Sequence, residues 1–321
     1  MRGGMEQYSH GLYRAWSARE DVRLLANPRG NGALVPFFLR VLSELTAQSN
    51  RFDLIHFGDG VFAPFIPLVR ARSRARISIT IHGLDITFAR YGFQAVFPRL
   101  VATADKVVCV STHTREAALE RGVPASKIVV IPNGLDLAEL PKNTTHTRQS
   151  MEQQRGFVLD RDVLFSVGRL VERKGHAWFV REYMPRLTNR FMYVIAGTGP
   201  DREAIERSVR ELGLEESVRL IGAIDDQEKA FWLETSKGYV MPNIPIPNDP
   251  EGFGISVLEA VAFGLSVFTT GIEGIADQMH YCQPLDELLI EPLPQRSAEE
   301  TTQLRDSFDW SSVVDAYVTR V

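Results

Sequence analysis

Two carboxylates in Glu251-Gly-Phe-Gly-Ile-Ser-Val-Leu-Glu259 have the types and spacing to hold a polyhydroxylated or anionic ligand. The stretch before them, Val240 to Pro250, is too rich in proline for a helix, which predicts Glu251 at a loop-to-helix junction. From Ile255 the apolar positions 255, 257, 258, 261 and 262 recur at helical spacing, and Gly264 is placed to stop the helix. Helical rise then separates Glu259 from Glu251 by about 12 Å, comparable to the span from a sugar ring across a diphosphate to a ribose. The N–H groups of Gly252, Phe253 and Gly254 would be free to donate into the same space. On spacing alone, a surface helix with an acidic first turn fits equally well. A carboxylate-pair hydrolase does not: about 12 Å is too far for a retaining pair and generous for an inverting one.

Cations follow a different strand. Arg169 and Lys174 lie in Ser166-Val-Gly-Arg-Leu-Val-Glu-Arg-Lys-Gly175, directly after an apolar run. Ligands of open α/β sheets bind past the strand ends; there a guanidinium fork grips phosphate oxygens in pairs and an ammonium adds a mobile point charge. His82 closes a strand in Ile81-His-Gly-Leu-Asp85, so it is predicted at the ligand-binding edge, although a lone histidine is more often structural. Asn133-Gly134 reads as a turn. Gly197 and Gly199 before Pro200 read as a tight strand-to-helix turn, and an incomplete Gly-x-Gly is a weak nucleotide signal. Asp160-Arg-Asp162 precedes a strand beside a polar stretch and is taken as a solvated turn, so no metal site is expected.

The elements that must position these groups alternate. Helix 5–19 is followed by strand 22–26, helix 34–47, strand 54–57, a helix-like stretch 61–72 and strand 77–82. Helix 93–104, strand 106–110, helix 112–121 and strand 128–131 complete a first series. Residues 140–155 are polar and read as the interdomain connection. A second series runs from strand 163–167 through helix 176–187, strand 192–196, helix 201–212, strand 218–221, helix 227–235, strand 239–241 and helix 255–263 to strand 267–269. Alternation at these spacings predicts parallel βαβ sheets. A chain of 321 residues with 44% hydrophobic and 24% charged residues suits two soluble domains. A net charge of −4 argues against a general nucleic-acid binder. Cys109 and Cys282 stand far apart without partner spacing, which fits a reducing compartment. No apolar run is long enough to span a bilayer, and the start lacks a signal-peptide core, so a cytoplasmic location is expected.

Gly3-Gly-Met-Glu6, Ile81–Asp85, Ile131-Pro-Asn-Gly-Leu-Asp136, Ser166–Gly175, Ala196-Gly-Thr-Gly-Pro200, Glu251–Glu259 and Phe308-Asp-Trp310, in this order, resemble the retaining GT-B glycosyltransferases that carry the "glycosyl transferases group 1" domain, a family-4-like group. The resemblance spans nearly the whole chain. It implies α/β GT-B architecture, with two Rossmann-like domains facing a cleft. Residues 1–150 would be the acceptor domain, 151–307 the nucleotide-sugar donor domain and 308–321 a helix returning to the first. It further implies that Glu251 meets the donor sugar beside Gly252, Phe253 and Gly254, and that Glu259 holds the ribose. Arg169 and Lys174 would hold the diphosphate, Ile221 would border the base, Gly4 would lie against the donor, His82 near donor sugar and acceptor, and Asp85 at the acceptor. Retention would proceed by front-face attack assisted by the departing phosphate, with Glu251 positioning and stabilising. The family chemistry needs no metal and no cofactor. Its partners would be a nucleotide sugar and a glycan or lipid-linked acceptor of cell-surface polysaccharide or lipopolysaccharide synthesis.

The chain departs from the pattern in two places. In the family the glycine pair follows a first strand; here that strand is absent, and translation beginning upstream of Met1 is the expected explanation. Because the first strand of a doubly wound sheet is usually internal, its loss would expose strand edges on both sides. The segment from Gly274 to Asp306 is also shorter than usual. These departures leave room for a non-catalytic member that binds a nucleotide or partner; a GT-B nucleotide-sugar epimerase is a further alternative. Arg70, Arg72, Arg74 and Arg76 form a basic cluster, for which docking on the anionic inner face of a membrane is set against a solvated helix end.

Overall fold

Short β-branched runs become parallel strands in the computed structural model, which describes residues 4–27, 34–88, 93–137, 140 and 144–321. The chain divides into two units, one of Gly4–Gly134 with Trp310–Val321, the other of Leu135–Asp309. The first holds β1 (Leu54–Phe57), β2 (Arg76–Ile81), β3 (Lys106–Cys109) and β4 (Ile128–Val130), paired in that order. In β2 the alternation Arg-Ile-Ser-Ile-Thr-Ile separates two faces. Ile77, Ile79 and Ile81 pack with Val41, Ile66, Val69 and Phe97 in one core. Each such fully buried side chain contributes roughly 1.5–3 kcal/mol.

Ser78 and Thr80 serve the other face, which helices Gly4–Ser17 and Trp310–Arg320 cover with Tyr8, Leu12, Val313, Val314 and Tyr317. The polar atoms buried there satisfy one another. Tyr8 Oη lies 2.7 Å from Thr80 Oγ1 and 2.6 Å from Tyr317 Oη, and His56 Nδ1 lies 2.8 Å from Ser78 Oγ. Burial, with the charge of His82 adding to it, pulls His56 down to about 3, so its ring is neutral at ordinary pH.

Among the described residues the first unit has no strand before Leu54. The strand expected at 22–26 does not form: 21–27 is irregular, and Arg23 pairs with Glu44 and Gln48 of helix Leu34–Gln48 instead of entering the sheet. The four strands pair without a gap, with β1 and β4 as the edges among the described residues, so the sheet is not opened internally. The stretch expected as one helix over 61–72 is a 3₁₀ turn, Gly60–Phe65, followed by a short α-helix, Ile66–Arg70, with Pro64 and Pro67 at the break.

The second unit carries β5 (Asp162–Val167), β6 (Phe191–Ala196), β7 (Val218–Gly222), β8 (Gly238–Met241), β9 (Val267–Thr269) and β10 (Gln283–Pro284). Their order is β10-β9-β8-β5-β6-β7, so strand order reverses at β5, and the residues beyond β5 lie at the switch point where open α/β sheets bind ligands. The polar stretch expected as the interdomain connection, 140–155, belongs to this unit from residue 144 onward. Thr147 caps helix Arg148–Arg155 through a capping box, Met151 is buried, and Arg155 pairs with Glu228 and donates to Ile221 O at 2.9 Å. Helix 176–187 is likewise two pieces, His176–Glu182 and Met184–Leu187, divided before Pro185. Among the described residues no helix is long and apolar enough to cross a membrane.

Candidate active site

Glycines set the strand-end loops of the second unit. A Cβ on Gly197 would lie 1.8 Å from Gly168 O, and one on Gly199 would lie 2.0 Å from Leu170 O. The turns after β5 and β6 therefore run backbone against backbone, a close approach only glycine permits. Arg169 stands on the first of these turns, exposed, and among the described residues it makes no ion pair. Lys174 ends the 3₁₀ turn Glu172–Lys174; Gly175 follows at φ +66°, where a Cβ would come within 1.9 Å of Pro242 O. This docks the loop after β5 onto the loop after β8. Beneath it, His176 Nδ1 and Ser166 Oγ each lie 2.8 Å from Tyr193 Oη; burial and the Lys174 charge pull His176 down to about 3, leaving it neutral.

Docking brings Lys174 Nζ to 2.7 Å from Glu251 Oε2, with Arg173 Nε at 3.4 Å and Asn243 Nδ2 at 3.4 Å from the same oxygen. Glu251 is buried, which by itself would raise its carboxyl; Lys174 and then Arg173 outweigh burial and hold it below its ordinary value. Arg173 is anchored in turn by Asp249 at 3.0 Å. The Glu251 N–H donates to Glu273 Oε2 at 2.6 Å, and Gln278 Nε2 donates to Phe253 O. Two buried amide oxygens beside this loop, Asn243 Oδ1 and Gln278 Oε1, have no partner. No hydrogen bond among the described residues engages the N–H groups of Gly252, Phe253 or Gly254. Gly254 is left-handed at φ +84° and starts helix Ile255–Ala262, as the glycine-rich turn predicted.

Glu259 sits on that helix, buried, with Oε1 2.9 Å from Lys229 Nζ of helix Asp226–Thr235. The predicted residues thus gather unevenly. Lys174 and Glu251 touch, Glu259 meets a different lysine, and Arg169 contacts neither acid. Ile221 lies near the end of β7, where Gly222 O accepts from Gly197 N at 2.7 Å. Asp160 pairs with Arg161 at 2.9 Å, and Arg161 also donates to Thr188 O and Glu216 O, so this segment is a clamp before β5.

The remaining predicted residues belong to the first unit. His82 follows β2 and donates from Nε2 to Gly58 O at 3.0 Å, while its own N–H reaches the Asp85 carboxylate at 2.9 and 3.0 Å. Asp85 also accepts from Gly60 N at 3.2 Å, and a Cβ on Gly60 would lie 2.7 Å from Asp85 Oδ2. Asp85 therefore ties together the chain ends that follow β1 and β2 and orients His82. Burial pushes its carboxyl up to about 6 although the His82 charge and both amides pull the other way. Gly4 begins helix Gly4–Ser17. Arg70, Arg72, Arg74 and Arg76 are exposed around the N-terminal end of β2, with Arg70 paired to Asp105 at 2.7 Å. His82 stands at the other end of that six-residue strand, about 20 Å away.

Sequence reasoning passed over Lys229, Arg173, Asn243 and Glu273. Arg173 stood beside Lys174 in the same motif, and Glu273 between Gly271 and Gly274 was a readable turn signal. Nothing local pointed from Lys229 to Glu259.

Two Rossmann-like units, with cations past the switch-point strand of one and a salt-bridged acid beside Lys174, fit the GT-B class of glycosyltransferases. Residues 161–306 match the family model Glycosyl transferases group 1 and residues 2–139 the model Glycosyltransferase Family 4; the chain belongs to this glycosyltransferase family. It is 29% identical to a GDP-mannose-dependent alpha-(1-6)-phosphatidylinositol monomannoside mannosyltransferase of Mycolicibacterium smegmatis, over 82% of this chain and 69% of that protein. It is 27% identical to a phosphatidyl-myo-inositol mannosyltransferase of Propionibacterium freudenreichii, over 72% of this chain but 55% of the relative's length. Among solved structures, Anabaena Alr3699/HepE in complex with UDP and glucose superposes with a TM-score of 0.76 at 17% identity, covering 99% of this chain and 96% of that one. The sucrose-phosphate synthase of Thermosynechococcus elongatus gives 0.70 at 20% identity, over 99% of this chain and 92% of that one. At these identities the structural likeness concerns the fold.

Proposed function

We propose that this protein transfers a sugar, with retention of configuration, from a nucleotide sugar to a glycan or lipid-linked acceptor in cell-surface polysaccharide or lipopolysaccharide synthesis. The observation that carries the reading is the Lys174–Glu251 pair, 2.7 Å apart at the switch point, with Arg169 exposed beyond the same strand and, among the described residues, without an ion pair. Arg169 and Lys174 take the diphosphate and stabilise the charge it gains on leaving, so the reading calls for no metal ion. Glu259 offers its second oxygen to the ribose, and Ile221 borders the base. Glu251, the amides of Gly252 to Gly254 and the free oxygen of Asn243 receive the donor sugar. His82, oriented by Asp85, serves the acceptor side. The names of the two mannosyltransferases support a glycolipid acceptor, and the UDP and glucose bound by HepE support the donor class. A cytoplasmic site of action belongs to the same reading. Docking on an anionic bilayer through Arg70, Arg72, Arg74 and Arg76 would leave His82 about 20 Å from the lipid surface, so it requires an acceptor headgroup of that reach. Vesicle co-sedimentation unchanged on neutralising these arginines removes that element.

The test is a thermal-shift series with UDP, GDP and ADP. A ligand at a hundredfold excess over its dissociation constant stabilises the fold by about 2.7 kcal/mol. One nucleotide is expected to raise the melting temperature, and Arg169→Ala to abolish the rise. Glu251→Gln should keep the nucleotide shift and lose donor turnover by about 10²–10³-fold, the cost of removing one preorganised electrostatic group. Absence of any shift in a protein that melts cooperatively refutes the reading. Turnover of the donor without acceptor, to an isomeric nucleotide sugar, would favour an epimerase.

A further inference from the structure

We propose that Glu273 is a positioning residue for Glu251, kept in a strained backbone conformation because its carboxylate is needed there. The proposal rests on the reading that Glu251 faces the donor sugar. Among the described residues, Asn248 and Glu273 alone combine a side chain with positive φ, and Glu273 sits at +53°. Left-handed backbone crowds Cβ against the following carbonyl, a conformation that glycine takes freely and asparagine tolerates. Glutamate has no such local excuse, and strain of this kind persists where surrounding structure over-determines it.

The surroundings here converge on one peptide. Glu273 Oε2 accepts the Glu251 N–H at 2.6 Å, and the next residue, Gly274, donates its N–H to Glu251 O at 3.0 Å. A Cβ on Gly274 would lie 2.1 Å from Gly252 O, so the turn is seated directly on the Glu251–Gly252 backbone. Lys174 holds the side chain of the same residue from the loop after β5. Both backbone polar groups and the carboxylate of Glu251 are therefore fixed from two separate elements. Glu273 occupies the first amide of the turn and leaves those of Gly252, Phe253 and Gly254 unengaged. For the backbone alone, glycine would serve better at 273; the carboxylate is what the Glu251 amide uses.

This separates stability from activity in a way a merely structural residue does not. Glu273→Gly relieves the strain and removes the acceptor; Glu273→Ala keeps the strain and removes the acceptor; Glu273→Gln keeps an amide oxygen that can still accept. Glu273→Gly is expected to melt higher than Glu273→Ala, while both lose donor kcat equally, by about 10²-fold for a displacement near 1 Å. Glu273→Gln should recover most of that kcat, and the KM for donor should change little in all three. Amide hydrogen exchange at Glu251 reads the contact without reference to any substrate: protection should fall in the Gly and Ala variants and return in Gln. Unchanged protection in Glu273→Gly, or lost protection with wild-type turnover, overturns the proposal. If the wild type shows the exchange pattern but no nucleotide-induced thermal shift, it is the donor reading that has failed, and with it the functional role assigned to Glu273.

Discussion

Lys229→Met isolates the least visible interaction of the site. Lys229 and Glu259 have side chains only 6% and 9% exposed, and Nζ lies 2.9 Å from Oε1. The other acid near Lys229, Asp226, is 4.0 Å away and 72% exposed, so the lysine serves chiefly Glu259. Methionine keeps most of the volume of lysine while deleting the charge, so packing loss is minor. What remains is a carboxylate out of water without its cation, a defect that costs about 3–5 kcal/mol. For a unit of this size, each kcal/mol moves the melting temperature by about 2–4 °C, which gives a drop of about 6–20 °C in the second unit's transition. Because a buried ion pair replaced by apolar groups is often neutral in stability, Lys229→Met/Glu259→Leu should return to within about 1 kcal/mol of wild type. Calorimetry of the wild type, both single variants and the double variant checks this. A loss below about 1 kcal/mol in Lys229→Met would mean the pair behaves as a surface bridge. A double variant no better than the single would show that the deficit lies elsewhere than in the stranded carboxylate.

Two more outcomes follow from the geometry. Gly175→Ala places a Cβ 1.9 Å from Pro242 O at φ +66°, whereas Gly213→Ala, at φ +64° with open space around it, meets only the backbone penalty. The first should lose the nucleotide-induced thermal shift and several kcal/mol, the second about 1–2 kcal/mol with the shift intact; equal losses would refute the docking of Lys174 through Gly175. The Asp85 carboxyl, pushed by burial from 3.8 to about 6, binds its proton more tightly in the folded state. Wild-type stability relative to Asp85→Asn should therefore fall as pH rises from about 4 to about 6 and stay level above, in urea titrations across that range. A difference independent of pH would remove the case that burial of Asp85 outweighs its amide partners and the His82 charge.

The strands were legible wherever β-branched residues ran between polar ends. Strand β9 and the start of helix Ile255–Ala262 fall where the spacing placed them. The apolar stretch 22–26, with Val22 its one β-branched residue, misled, because Arg23 finds partners on a neighbouring helix and the segment lies outside the sheet. Residues 148–155 misled in the other direction. They have little apolar period, yet a capping box, one buried methionine and Arg155 on Glu228 are enough to seat them as a helix. The capping box was local and readable from Thr147 and Ser150, whereas the burial of Met151 and the Arg155–Glu228 pair are tertiary contacts that a window of composition does not contain.

The sequence by itself determined the two parallel-sheet units, the placement of Arg169 and Lys174 past a strand end, and the glycines that let strand-end loops approach. Those features depend on local periodicity and on backbone sterics, which act over a few residues. Only the tertiary structure decided the pairings: Lys174 with Glu251, Lys229 with Glu259, and Glu273 beneath the Glu251 peptide. Which buried charges meet depends on how loops from different strands converge, and desolvation makes those meetings decisive. A carboxylate excluded from water must find a cation or a donor, and the chain supplies one from a distant position.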